Sequence, residues 1–157
     1  MKNKNREILK AGFLAGTLDI LAAFIYVYIK TGKLLIVGIL KFIASGLFGK
    51  NAASGGNMMV LTGLVLHYII AFSFTIFFFW LFPKIKFLSV NKILTAIIYG
   101  IFIWSVMNLI VVPLSNVASR PFNIVGAMIN ILILIVCLGI PITFIANRFY
   151  GRQRSIS

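Results

Sequence analysis

Four long apolar runs, at about 11–29, 58–82, 93–114 and 123–146, dominate the chain. A helix needs about 20 mainly apolar residues to cross the hydrocarbon of a bilayer. In that layer each backbone N–H and C=O must find an internal partner, so a lone apolar run of this length becomes a helix. Each run is punctuated at its ends: Lys10 and Lys30, Asn57 and Pro83, Lys92 and Ser115, Pro121 and Arg148. Charged residues are 11% of the 157 and hydrophobic ones 61%, whereas a soluble domain carries about 25% charged residues. The expected fold is all-α, one integral membrane domain over residues 1–157 with a four-helix transmembrane bundle. Its first partner is the lipid bilayer.

The first run follows a basic start, MKNKNREILK. It is longer than the roughly 7–15 residues of a signal-peptide core, and no small-residue cleavage site follows. It reads as a retained helix.

A fifth run, LLIVGILKFIASGLFG at 34–49, is short and carries Lys41 in its middle. The basic residues decide how to read it. With four spans and the N-terminus inside, Lys2, Lys4, Arg6, Lys10, Lys84, Lys86, Lys92, Arg148, Arg152 and Arg154 share the inner side. Lys30, Lys33, Lys41, Lys50 and Arg120 share the outer side. A fifth span would send FPKIK and RQRS outward, against the positive-inside rule. The expectation is therefore both termini cytoplasmic, with 34–49 an interfacial or re-entrant helix on the outer face. The NAASGGN that follows reads as a flexible glycine-rich turn around Gly55 and Gly56.

Aromatic residues fit this frame. Tyr26 and Tyr28 fall at the outer end of the first span, and Phe77, Phe78, Phe79, Trp80 and Phe82 at the inner end of the second. Pro113 is expected to end the third helix and Pro141 to kink the fourth. Arg120, before Pro121, reads as an outer-loop charge.

Asp19 is one of only two acidic residues in the chain. It lies in AGTLDILAAF, on a helical face with Gly12, Gly16 and Ala23. Small residues let membrane helices approach closely, so that face should turn inward. The other spans repeat the pattern: Gly63, His67 and Ala71; Ala96, Gly100, Trp104 and Asn108; Gly126, Asn130, Cys137 and Pro141. A polar group in lipid is costly without a partner. The expectation is that Asp19, His67, Asn108 and Asn130 turn toward one another. Asp19 is near mid-span and the others lie somewhat outward, an offset of roughly 5–10 Å at about 1.5 Å per residue. Some would touch directly and others would need a water.

Other chemistry finds little support. The net charge of +13 lacks the polar basic stripe with interleaved aromatics of a nucleic-acid binder, so no nucleic-acid partner is expected. No GxSxG, HExxH or P-loop occurs. One His, two acids and one Cys fall short of a metal site. Glu7, at the cytoplasmic end, cannot pair with Asp19. Cys137 reads as a small core residue. No enzyme activity, cofactor or metal is expected.

The strings AGTLDILAAF, LKFIASGLFG, GG at 55–56, GLVLHYIIAF and VMNLIVVPLS together resemble a family of short bacterial inner-membrane proteins with four predicted spans. The resemblance covers nearly the whole length. FPKIK and the span after it are also more distantly similar to the YagU-like inner-membrane proteins, a group associated with acid tolerance. The resemblance implies an inner-membrane location and no known activity. It includes Asp19, His67, Asn108, Ser45 and Gly46 in its strings. Asn130 rests on the helical-face argument alone.

Two functional readings follow. In the first, the Asp/His/Asn cluster handles a proton or solute, the 34–56 segment lines or caps its mouth, and a homo-oligomer is expected for so small a bundle. In the second, the chain is a structural or assembly subunit of a membrane complex, and the cluster only hydrogen-bonds helices together. The first predicts water reaching Asp19. The second predicts a dry, fully bonded core.

Overall fold

The computed structural model describes residues 3–117 and 123–154. Arg120 and Pro121 lie outside the described residues. The elements are α1 (Lys4–Thr31), α2 (Ile36–Phe48), α3 (Asn51–Ser54), α4 (Asn57–Leu81), a 3₁₀ turn (Lys86–Ser89), α5 (Lys92–Val106), a π turn (Met107–Val111), α6 (Val112–Leu114), α7 (Ile124–Leu134), a second π turn (Ile135–Gly139) and α8 (Ile140–Arg154). No strand occurs among the described residues.

The caps explain several boundaries. The Asn3, Asn91 and Asn123 side chains each accept a backbone N–H in the first turn of α1, α5 and α7. That satisfies donors a helix start leaves orphaned. Gly32 closes α1 in the left-handed conformation at φ 68°, which glycine adopts at no steric cost.

Four helical stretches are long and apolar enough to cross a membrane: Lys4–Thr31, Asn57–Leu81, Lys92–Leu114 and Ile124–Gly151. Rows such as Leu14, Leu18, Leu21 and Ile25 on α1 stand exposed. Water would not tolerate so much continuous apolar surface, and lipid does. The protein is a multi-pass membrane protein. At 13 residues, or about 20 Å, α2 is too short to span.

The start of α1, the end of α8 and the α4–α5 connection lie at one end of the bundle, here the terminal end. The other, the α2 end, carries residues 32–56 and the end of the third span. α1 packs between α4 and the fourth span, and the third span packs on the fourth. At the terminal end Phe78, Phe79, Phe82, Tyr99, Ile142 and Phe149 form a closed core. Phe78 and Tyr99 rings stand 4.5 Å apart, and Phe82 stacks on Tyr150 at 5.3 Å. Of the aromatic group expected at a membrane interface, Phe78, Phe79 and Phe82 are therefore core. Phe77 and Trp80 are exposed, and the Lys84 ammonium sits 3.4 Å above the Trp80 ring.

Glycines set the helix spacings. A methyl on Gly63 would collide with the Leu40 carbonyl, so α2 lies directly on α4 there. A methyl on Gly139 would collide with the Ala96 carbonyl, and one on Gly100 would come within 2.7 Å of the Ile135 Cα. Gly12 and Gly16 receive the Phe72 and Tyr68 rings. The GxxxG of α1 thus seats aromatic side chains of α4.

One expectation is corrected. Asn51–Ser54 of NAASGGN is a short helix, leaving only Gly55 and Gly56 as the break before α4. The third helix ends at Leu114, one residue past Pro113, as expected. Pro113 lacks an N–H to bond back, and a π turn ends two residues before it. Pro141 has the same relation to the second π turn. Widening the turn lets a helix pass a proline without a sharp break.

Gly63→Ala should therefore cost about 1–3 kcal/mol, as overpacking a tight contact does. At Gly46 an added methyl meets only ordinary contacts at 3.9 Å, so Gly46→Ala should leave stability equal or higher. Thermal unfolding in detergent measures both. Equal loss at the two sites would contradict the contact.

Candidate functional site

α1 presents Gly12, Gly16, Asp19 and Ala23 on the face opposite its exposed Leu14, Leu18, Leu21 and Ile25 row. Asp19 therefore points into the bundle. α4 presents His67, which is buried, from the facing side. The His67 Nε2–H donates to the Gly16 carbonyl at 2.7 Å. Beside it Thr17 Oγ1 and the Tyr68 hydroxyl hydrogen-bond at 2.8 Å, and the Phe13 and Tyr68 rings stack. This set of contacts locks α1 to α4 one turn before Asp19.

Asp19 follows Gly16 by about one turn on the same inward face of α1. It makes no hydrogen bond or ion pair among the described residues, and it is only partly buried. The buried Thr143 hydroxyl of α8 also has no partner among the described residues, but several other polar side chains in the spans do. Ser73, Thr75 and Ser105 each bond the carbonyl four residues back.

Asn108 and Asn130 use the same local solution. Asn108 Nδ2 donates to the Trp104 carbonyl and Asn130 Nδ2 to the Gly126 carbonyl, each at 2.9 Å. The four-residue cluster expected from sequence is thus not assembled. Asn108 is exposed and continues the exposed Leu94 and Ile101 row of the third span, which faces away from the core. The expectation that it turns inward is corrected. A helix offers an amide its own carbonyls, so a polar residue need not seek a polar partner. Asn130 does lie on the inward face, two turns from Cys137 and opposite the exposed Val125, Met128, Leu132 and Val136. It is nevertheless exposed.

Exposure changes along the inward faces in a common direction. Gly12 and Gly16 are buried, while Asp19, Ala23 and Tyr26 are partly exposed. Cys137, Leu138 and Ile142 are buried, while Ile133, Leu134 and Asn130 are partly or fully exposed. Tyr99, Gly100 and Ile103 are buried, while Trp104 and Met107 are partly exposed. The bundle is closed toward the terminal end and loosens toward the α2 end from the level of Asp19.

At the α2 end, the Gly46 carbonyl accepts the Asn116 N–H at 3.0 Å, and Asn116 Nδ2 donates to the Leu47 carbonyl at 2.9 Å. The third span is thereby pinned to α2. Ser45 Oγ bonds the Phe42 carbonyl on its own helix. Gly55 N–H bonds Asn51, and Gly56 caps α4 through Met59. Lys41 Nζ donates to the Ala53 carbonyl at 3.1 Å, which folds α3 back on α2. An apolar groove of about 500 Å³ along α4, lined by Leu64, Tyr68 and Phe72 among others, contains neither Asp19 nor His67.

Sequence reasoning missed the tyrosines. The Tyr99 hydroxyl donates to the Phe74 carbonyl at 2.6 Å and the Tyr150 hydroxyl to the Phe79 carbonyl at 2.7 Å. With His67 they tie α1, α5 and α8 to α4. No group of three or more His, Cys, Asp or Glu able to hold a metal occurs among the described residues.

His67→Leu should destabilise the bundle by about 0.6–2 kcal/mol, and Tyr99→Phe should lose about 0.6 kcal/mol, the scale of hydrogen bonds between membrane helices. Asn108→Leu should cost nothing, since it places an apolar group on a lipid-facing row. Unfolding in detergent reads all three. A large loss for Asn108→Leu would show that its amide holds a helix.

No family model matches the chain, and neither a curated protein nor a solved structure matches it.

Proposed function

We propose that the chain is a small proton-handling protein of the bacterial inner membrane, with both termini cytoplasmic, and that Asp19 beside His67 binds the proton. The observation that carries this reading is the state of Asp19. It lies on the inward face of α1, is partly exposed, and makes no hydrogen bond among the described residues. An acid kept as structural glue would be bonded to something. A carboxylate in a bundle interior without such a bond takes up a proton or meets water. His67 is held at a fixed position by the Gly16 carbonyl, one turn from Asp19 on α1. The pair is a site at which a proton can reside without a metal or cofactor.

The orientation rests on charge. Lys4, Arg6, Lys10, Lys84, Lys86, Lys92 and Arg148 gather at the terminal end, as the positive-inside rule requires of a cytoplasmic face. The inner-membrane assignment rests on the resemblance of its strings to short inner-membrane proteins. The reading is non-enzymatic.

A structural or assembly role is the second reading. The interhelix bonds of His67, Tyr99 and Tyr150 to backbone carbonyls favour it. Those bonds hold helices, and Asp19 makes none of them.

Reconstitution separates the two. Vesicles carrying the wild-type protein should dissipate an imposed pH gradient, and vesicles carrying Asp19→Asn should hold it. The substitution keeps shape while removing titration. If both folded proteins hold the gradient, proton handling by the chain alone is wrong and the structural reading takes its place.

A further inference from the structure

We infer that Asp19 is reached by water from the α2 end only, through an opening between α1 and α7 whose wall includes Asn130. The inference deepens the proton-binding reading and rests on it only for what uses the opening.

The first ground is the burial pattern. On α1, the fourth span and the third span alike, inward residues are buried toward the terminal end and become exposed toward the α2 end. A bundle exposed only to lipid would show this on its outward faces. The second ground is packing. α1 lies closely along the second π turn and α8, and only lightly touches α7. The two helices therefore part just beyond Cys137. The third ground is Asn130. It is exposed on the side of α7 opposite Val125, Met128, Leu132 and Val136. Those apolar residues face the lipid, so the amide faces the gap. Its Nδ2 is used by Gly126, which leaves the Oδ1 oxygen to accept from water.

Below Asp19 the route ends. Phe78, Phe79 and Ile142 are fully buried, and Phe82 and Ile103 nearly so. The polar side chains there, Thr75, Thr95 and Thr143, are themselves sealed from the surface. On the α4 side, α1 lies closely against α4, and α2 is pressed on α4 at Gly63. The opening is thus one-sided, and Asp19 stands at its floor.

Thiol labelling tests this directly. Asn130→Cys and Ala23→Cys are each made in a Cys137→Ala background and reconstituted in sealed vesicles. Leu132→Cys serves as the lipid-facing comparison. A membrane-impermeant maleimide is added from one side or the other, and orientation is read by protease access to the C-terminal tail. Asn130→Cys and Ala23→Cys should lose their free thiol to reagent on the α2 side and keep it with reagent on the terminal side. Leu132→Cys should keep its thiol in both. Protection of Asn130→Cys and Ala23→Cys from the α2 side, in protein that elutes as folded, overturns the opening, as does equal labelling from both sides. Labelling reads water and not protons. Labelling without gradient dissipation would keep the opening and remove the proton reading. Dissipation without labelling would do the reverse.

Discussion

The hydrogen bond from His67 to the Gly16 carbonyl organises the region around Asp19. It needs Gly16 to be small, because α4 must come close enough for Tyr68 to pack within 3.1 Å of an added methyl. With α1 fixed there, Asp19 sits one turn beyond the contact. The same device recurs toward the terminal end, where Tyr99 and Tyr150 reach carbonyls of α4. In hydrocarbon a donor that reaches a neighbouring backbone carbonyl avoids the cost of an unmet polar group. It joins two helices without needing a polar partner on the second.

That device explains what was legible in the sequence and what was not. The spans could be read because a bilayer imposes length and apolarity on any crossing helix. The expected 58–82 is Asn57–Leu81, and the expected 93–114 is Lys92–Leu114. The fifth run was readable as a non-spanning helix, found at Ile36–Phe48. Its seat on Gly63 was not, because a glycine in a helix does not announce which backbone will rest on it.

The polar residues were harder to read. Matching Asp19, His67, Asn108 and Asn130 by residue type overlooks the carbonyls that every helix carries. Asn108 and Asn130 satisfy their amides one turn back, and His67 finds a backbone partner. Tyr99, which nothing in the sequence singles out, is a buried tie. The π turns before Pro113 and Pro141 have no local signature except the prolines themselves. The inward placement of Asp19 was legible from the small residues that share its helix face. Asp19 makes no hydrogen bond among the described residues.

Asp19 as a proton-binding group can be tested by infrared titration of the purified protein. The chain has only two acidic residues, so the carboxyl region of the spectrum is uncrowded. The predicted result is a protonated-carboxyl band that titrates in the wild type and is missing from equally folded Asp19→Asn. Identical titrations of the two proteins would contradict the assignment of Asp19 as the group that takes up the proton.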